Sequence, residues 1–382
     1  MPGFRAGSAR TRALLGVLAI VSLVAVFTTR VSRKMPDFEV YRTAGARAAA
    51  AEPLYRAEDG HFQFKYLPAF AIAAAPLAAT PAPIAKGAWF AFSAIMMLVL
   101  LGLSLQAMPE VRRPPALLVV VTFLAMAKFY AHELVLGQVN LLFAVLVVLA
   151  VVMMRRGTDA VAGLLLAIAV VAKPYAVIFL PWLATRRNRT AFAAMAGALI
   201  VLLLLPAARY GWDGNLRLLG EWWHAVSSTT GSQLTNQDNV SLTALFTRWL
   251  GPGSAARLLA AVTGGFLLLL TAVVFAGRGT LPVPDPLEAS LLLLLIPLLS
   301  PQGWDYVFLI GTPAVMLLVN HLDALPRGLR VATVVAIAAI GLSIFDVMGR
   351  TAYALFMGLS LVTVFVVIEV AALITLRFRR AA

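Results

Sequence analysis

Asp37, Glu39 and Tyr41 stand within one short stretch, the first polar interval after an apolar run long enough to span a bilayer. A carboxylate held beside aromatic rings at a membrane face suits a base for chemistry on a lipid-borne substrate. Asp37, nearest the apolar run, is assigned that role. A second candidate is Lys173, followed by Pro174 in the middle of the apolar run 160–183. A lysine at membrane depth is costly unless it faces a cavity or an anion, which makes it a site candidate. A kinked single helix with a snorkelling lysine fits the same residues.

The elements that must position these groups follow from composition. The chain has 382 residues, of which 61% are hydrophobic and 13% charged, and its mean hydropathy is +0.90. Those values describe a polytopic membrane protein rather than a soluble domain. There are no cysteines, so no disulfide framework or thiolate metal site is available. The net charge of +14 would suit nucleic acid only if basic residues clustered on a soluble face. Here they punctuate apolar runs, the pattern of the positive-inside rule, and no nucleic-acid partner is expected.

The first run, 13–29, follows Arg5, Arg10 and Arg12 and lacks a small-residue cleavage site, so it reads as a retained helix with a cytosolic N-terminus. Residues 30–83 then form a first external loop. Within it, 38–51 should lie as a helix along the interface, ended by Pro53. The segment 66–79 is short and interrupted by prolines, and a crossing there would place Arg112 and Arg113 outside. It therefore reads as re-entrant or interfacial. Runs 84–106, 116–130, 139–154, 192–206, 258–275, 287–299, 307–322, 331–345 and 352–376 bring the expectation to about ten full spans. Run 160–183 lies between basic residues at both ends, so it should turn back at Lys173 and Pro174 as a broken hairpin. A second large external loop is expected over 209–250. The whole is read as one all-α transmembrane domain, 1–382, in the plasma membrane with both termini cytoplasmic.

Asp37, Glu39, Tyr66, Lys128, His132, Glu133, Gln138, Asn140, Asn236, Gln237, Asp238, Asn239, Trp304, Asp305 and Tyr306 then share the outer side. That clustering suits a cavity at the outer interface, since a conduction path would set ionisable groups at mid-depth on several helices. Lys173 and Glu369 are the clear charges inside the runs. No GxGxxG, Walker loop or HExxH motif is present, and histidines 61, 132, 224 and 321 are scattered. No cofactor or metal is therefore expected, with a divalent ion on the external carboxylates as the alternative.

The residues also carry a resemblance. Asp37-Phe-x-Val-Tyr41, Ala44-Gly45, Pro53-Leu-Tyr55, Phe64-x-Tyr66-x-Pro68, Gly137-Gln138-Val139-Asn140, Lys173-Pro174 and Ser300-Pro301-x-x-Trp304 follow one another in an order that resembles glycosyltransferase family 87. These are polyprenyl-phosphate-mannose-dependent mannosyltransferases of the membrane-embedded GT-C type. The resemblance implies a GT-C fold whose first external loop carries the catalytic acid, which makes Asp37 the general base. The sugar, mannose, would leave a polyprenyl phosphate with inversion, giving an α linkage to a glycolipid or cell-envelope glycan acceptor. Family members often carry a histidine after Ser-Pro-x-x-Trp, where this chain has Asp305 and Tyr306.

A leaving phosphate accumulates charge that fixed cations stabilise. Lys173, Lys128, Arg209 and Arg350 are assigned to it, with Arg33 and Lys34 as further candidates. Donor and acceptor sugars are assigned to Glu39, Tyr41, Tyr66, His132, Gln138, Asn140, Asn236, Trp304, Asp305 and Tyr306. The partners expected are membrane lipids, the lipid-linked donor and the acceptor. Other readings of the same features are an arabinofuranosyl transferase using a decaprenyl-phosphate donor, a flippase for lipid-linked saccharides, or a non-catalytic scaffold. Asp37 also suits a plain helix cap.

Overall fold

The computed structural model describes residues 9–280 and 282–379, and among them the regular structure is helical apart from one antiparallel bridge between Asn239 and Trp304. The expected all-α character holds. Arg5 lies outside the described residues.

Helix α1 (Ala9–Val26) runs into a π-helical turn over Phe27–Val31. Met35 then takes a left-handed backbone (φ 61°), and α2 (Pro36–Ala50) leaves at 78° to the first helix. Pro36 suits the first helical position, where no intrahelical N–H partner is needed. Asp37 and Glu39 occupy the first turn, where the helix dipole favours negative charge. Ala51 ends the helix with a left-handed backbone two residues before Pro53. Helix α3 (Pro68–Ala79) lies antiparallel on α2. Arg42 donates to the carbonyls of Leu77 and Thr80, and Gly45 is packed so closely that a Cβ there would fall 2.5 Å from the Ala74 carbonyl oxygen.

The bundle continues with α4 (Ala82–Ala107), α5 (Pro115–Leu136), α6 (Asn140–Arg155), α7 (Asp159–Ala172), α8 (Phe179–Thr185), α9 (Arg189–Leu204) and α10 (Ala207–Ser228). After a helical turn α11 (Thr230–Gln233) come α12 (Leu242–Leu250), α13 (Ser254–Ala276), α14 (Asp285–Leu299) and α15 (Thr312–Asn320). Helix α16 (Arg327–Leu342), the turn α17 (Phe345–Met348), α18 (Arg350–Gly358) and α19 (Leu361–Phe378) complete it. Successive helices share a buried aliphatic core, and their termini gather into two polar layers. One is basic: Arg155 donates to the Ala107 carbonyl at 2.6 Å, Arg186 pairs with Asp285 at 2.7 Å, and Arg278 reaches both Asp285 and Glu288 at 2.9 Å. The opposite layer holds the start of α2, the α5–α6 turn, Lys173 and the segment 300–306.

At Lys173 the chain doubles back. Asn188, before α9, donates to Asp159, at the start of α7, at 2.8 Å, so the chain has returned to the level where α7 began. Helices α7 and α9 then pack side by side, Gly163 lying directly against the Ala191 carbonyl. A small residue at such a crossing lets two backbones approach.

About ten full spans are not supported. Among the described residues four helices, α4, α5, α13 and α19, are long and apolar enough to cross a membrane, or up to six spans if α1 with α2 and α9 with α10 each count as one. The apolar runs 139–154, 287–299, 307–322 and 331–345 fold as helices of 16, 15, 9 and 16 residues, shorter than the roughly 20 residues a hydrocarbon core needs. Helix α3, at 12 residues, is likewise too short. The interval 209–250, expected to be external, is largely helical. Helix α10 turns 92° from α9 and buries Asn215, Leu218 and Ala225 while Trp212 and Trp223 stay exposed, a one-sided pattern with helical spacing.

Gly45→Leu should separate α3 from α2, with a cost of about 1–3 kcal/mol for overpacking. Thermal unfolding in detergent should show a lower midpoint for this variant and an unchanged one for Gly102→Leu, whose position is open. Equal midpoints would contradict the packing.

Candidate functional site

Gly137 closes α5 with φ 70°, and its position under the first turn of α2 leaves no space for a side chain: a Cβ would lie 2.8 Å from that of Phe38. The Met35 N–H donates to the Val135 carbonyl at 3.0 Å, and the Trp89 indole to the Gly137 carbonyl at 2.9 Å. These contacts fix the start of α2, and Asp37 with it, beside the α5–α6 turn.

Gln138, in that turn, is the common partner of groups from distant parts of the chain. Its Oε1 accepts from Tyr41 Oη at 3.0 Å, Tyr66 Oη at 3.2 Å and Lys173 Nζ at 3.1 Å. Its Nε2 donates to Tyr306 Oη at 3.4 Å. Tyr41 and Tyr66 are also joined to each other at 2.8 Å. Lys173 reaches this point because Pro174 forces the residue before it into extended backbone (φ −147°, ψ 105°), which ends α7. Its ammonium donates to Tyr66 Oη at 3.1 Å and lies 4.8 Å from the centre of that ring. Of the two readings of Lys173, the structure has the broken helix.

Behind this group, Tyr175 donates to Asn140 at 3.2 Å, and Asn140 to Glu133 at 2.8 Å. Glu133, fully buried, also accepts from the Leu141 N–H at 3.0 Å. Asn140 therefore supports the α5–α6 turn.

A second charged cluster adjoins the first. Asp305 is 1% exposed and pairs with Lys128 at 3.1 Å and His132 at 3.5 Å. The His132 ring meets Tyr306 edge to face at 5.2 Å, which links the two clusters. The segment that carries Asp305 is held by the bridge of Trp304 to Asn239 and by the Val240 N–H donating to Gly303 at 2.6 Å. The Asp305 N–H donates to Asp238 at 2.9 Å. Burial and the neighbouring Asp305 push the Asp238 carboxyl up.

Asp37 is half-buried on α2, which turns away from the first helix and is read as lying outside the spans. Burial pushes its carboxyl above the ordinary carboxylate value, against the amide of Gln138 and the charges of Lys173, His61 and His132. A carboxylate so placed holds its proton more readily than a solvated one, the direction that strengthens a base.

Asp37, Tyr41, Tyr66, Lys128, His132, Gln138, Lys173, Asp305 and Tyr306 are thus brought together. Five other assigned residues fall outside the linked groups. Arg209 is exposed and donates to the carbonyls of Ala48 and Ala49, capping the end of α2. Arg350 is exposed at the start of α18, without an ion pair among the described residues. Glu39 pairs with Lys86 at 3.0 Å and Arg42 at 3.1 Å. Asn236 accepts from Arg248 and the Asp238 N–H within its own loop. Trp304 serves the bridge. Arg33 and Lys34 are exposed. Sequence reasoning missed Tyr175 and the approach of His61 and Lys65 to Asp37. The position of Tyr175 two residues beyond Lys173 was a usable signal, whereas nothing in the spacing of His61 pointed to Asp37.

The family model of glycosyltransferase family 87 matches residues 64–301. The chain belongs to glycosyltransferase family 87. It is a membrane glycosyltransferase. The matched stretch of this family 87 chain holds Tyr66, Lys128, His132, Gln138 and Lys173, while Asp37 and Asp305 lie outside it. No curated protein matches the chain, and no solved structure does.

Gln138→Leu should leave Tyr41, Tyr66 and Lys173 without their shared acceptor, at about 1–3 kcal/mol for each group left unpaired. Gln138→Glu, which keeps an acceptor for all three, should unfold nearer the wild-type midpoint in a thermal scan. The reverse order would show that the hub is not what joins these segments.

Proposed function

We propose that this family 87 protein transfers a sugar, mannose, from a polyprenyl phosphate to a hydroxyl of a lipid-linked or cell-envelope glycan, with inversion, and that Asp37 is the general base. The observation that carries this reading is the placement of Asp37 beside the Gln138–Lys173 group, where a proton acceptor and a fixed cation share one polar layer. In the proposed step Asp37 takes the proton of the acceptor hydroxyl as its oxygen bonds to the anomeric carbon. The bond from that carbon to the phosphate oxygen breaks, and polyprenyl phosphate leaves with the electron pair. Lys173 stabilises the growing phosphate charge, and Lys128 stands one cluster away. Tyr41, Tyr66, Gln138, His132 and Tyr306 supply hydroxyl, amide and ring partners for sugar. The fold is proposed to be of GT-C type, with this layer on the outer face of the plasma membrane and the basic layer in the cytoplasm, as the positive-inside rule favours. A single base with inversion needs one essential carboxylate, and the proposed reaction uses neither metal nor nucleotide sugar.

The test is transfer by the purified protein from labelled polyprenyl-phosphate mannose to glycolipid acceptors. Asp37→Asn should lose about 10²–10⁴-fold in kcat, the usual contribution of a positioned base, and still bind donor. Transfer undiminished in this variant would rule out Asp37 as the base.

The pH profile gives an independent check. Asp37 must be ionised to act, and its pKa is raised, so kcat/KM should fall on acidification with a midpoint above the ordinary carboxylate range. Lys173 holds that pKa down. Lys173→Met should therefore move the acid limb to higher pH as well as raise the donor KM. A shift to lower pH would contradict the placement of the two charges.

A further inference from the structure

On the other side of α2 from Gln138 is a cavity of about 290 Å³, lined by Pro36, Glu39, Val40, Thr43, Arg47, Asp59, Phe62 and Phe64. At about 100° per residue, Pro36, Val40, Thr43 and Arg47 fall on one face of α2. Asp37 is about a quarter turn from that face, and Tyr41 lies on its far side. The base therefore stands on the edge between the Gln138 group and this cavity. His61, beside Phe62, acts on the Asp37 carboxylate from the segment that forms the cavity's outer wall.

The lining describes the ligand. Phe62 is 55% exposed, an aromatic face available to the C–H side of a sugar ring, while Phe64 is buried. Glu39, Thr43 and Asp59 supply oxygen atoms for hydroxyl groups. The cations nearby are already paired: Arg47 holds both oxygens of Asp59, the longer contact at 2.8 Å, and Arg42 and Lys86 hold Glu39. A phosphate would find no uncommitted charge there, whereas a neutral polyol would meet acceptors, donors and an apolar face. The volume is at the lower edge of the roughly 300–1,000 Å³ of small-molecule sites, suited to a sugar ring rather than to a long glycan.

We propose that this cavity is the acceptor subsite, that it takes a neutral sugar ring of the acceptor, and that it presents a ring hydroxyl to Asp37 across the edge of α2. The proposal rests on the reading of Asp37 as base and adds to it the class and entry side of the acceptor. The donor, from the Gln138 side, and the acceptor, from the cavity side, then meet at the Asp37 edge of α2, where the acceptor oxygen can reach the anomeric carbon.

The chain has no cysteine, so Thr43→Cys places a single thiol in the cavity wall, Val40→Cys gives a second reporter on the same wall, and Ala49→Cys places a control on the opposite side of α2. Maleimide labelling of each full-length variant in detergent is followed with and without octyl glucoside, octyl mannoside or octyl galactoside, and with inorganic phosphate. At ten times the half-protecting glycoside concentration, labelling at 43 and 40 should slow about tenfold, as simple competition requires, with position 49 unaffected. Adding Asp37→Asn should leave that protection intact, because binding does not need the base. Saturable protection at 43 and 40 by a glycoside supports the subsite even if wild type transfers no sugar, a result that would instead reject the transfer reading. Absence of protection by every glycoside, or protection by phosphate alone, overturns the subsite, whether or not wild type transfers sugar.

Discussion

The amide of Gln138 is the constraint on which the rest of the polar layer depends. One oxygen accepts from two tyrosines and a lysine, and these come from α2, from the segment before α3 and from the break after α7. Buried polar groups are costly when unpaired and specific when satisfied, so a hub of this kind selects one arrangement of three segments with little sequence proximity. It also sets Lys173 at the position where Asp37 experiences its charge. The ammonium has no rigid backbone of its own to rely on, because its residue is the extended link between two helical arms.

The two polar layers differ in chemistry. At the basic layer arginines are joined to carboxylates or to helix-end carbonyls: Arg186 and Arg278 with Asp285 and Glu288, Arg155 with Ala107, Arg113 with Asp323. The Arg155 contact satisfies a carbonyl at the end of α4 that the helix itself leaves without a partner. In the opposite layer Lys128 and Asp305 form an ion pair, but the partners of Lys173 are a hydroxyl and an amide, which exchange more readily with the hydroxyls of a sugar. Helix α2 connects this chemistry to the membrane edge. Its first turn carries Asp37, its middle is locked to α3 through Gly45, and its last carbonyls are held by Arg209.

Much of this was legible in the sequence. Pro174 after a lysine within an apolar run allowed either a break or a kink, and basic residues at both ends of that run favoured the turn back. Gly137-Gln138-Val139-Asn140 stood out only as one element of the family resemblance, without a turn being read from it. What was not legible depends on direction rather than on type. Glu39 lies two residues from Asp37 and so points to a different side of α2, toward Lys86 and Arg42, and Arg209 turns to the end of α2 instead of the cluster. The expectation of about ten spans exceeds the helices long enough to cross because apolar runs such as 139–154, 287–299 and 331–345 are themselves shorter than the roughly 20 residues a crossing needs. Helices α14 and α16, at 15 and 16 residues, are about as short as the apolar runs they come from, and the expected external interval 209–250 contains the amphipathic helix α10.

The central claim is that the layer around Asp37 and Lys173 receives the donor phosphate. The most direct measurement is a cryo-electron microscopy structure of the protein with polyprenyl phosphate bound. The account predicts phosphate density within ion-pair reach of Lys173 Nζ, with the lipid chain leading out between helices and the Asp37 carboxylate facing the space where the anomeric carbon would sit. Phosphate density at the opposite layer, among Arg155, Arg186 and Arg278, would contradict it.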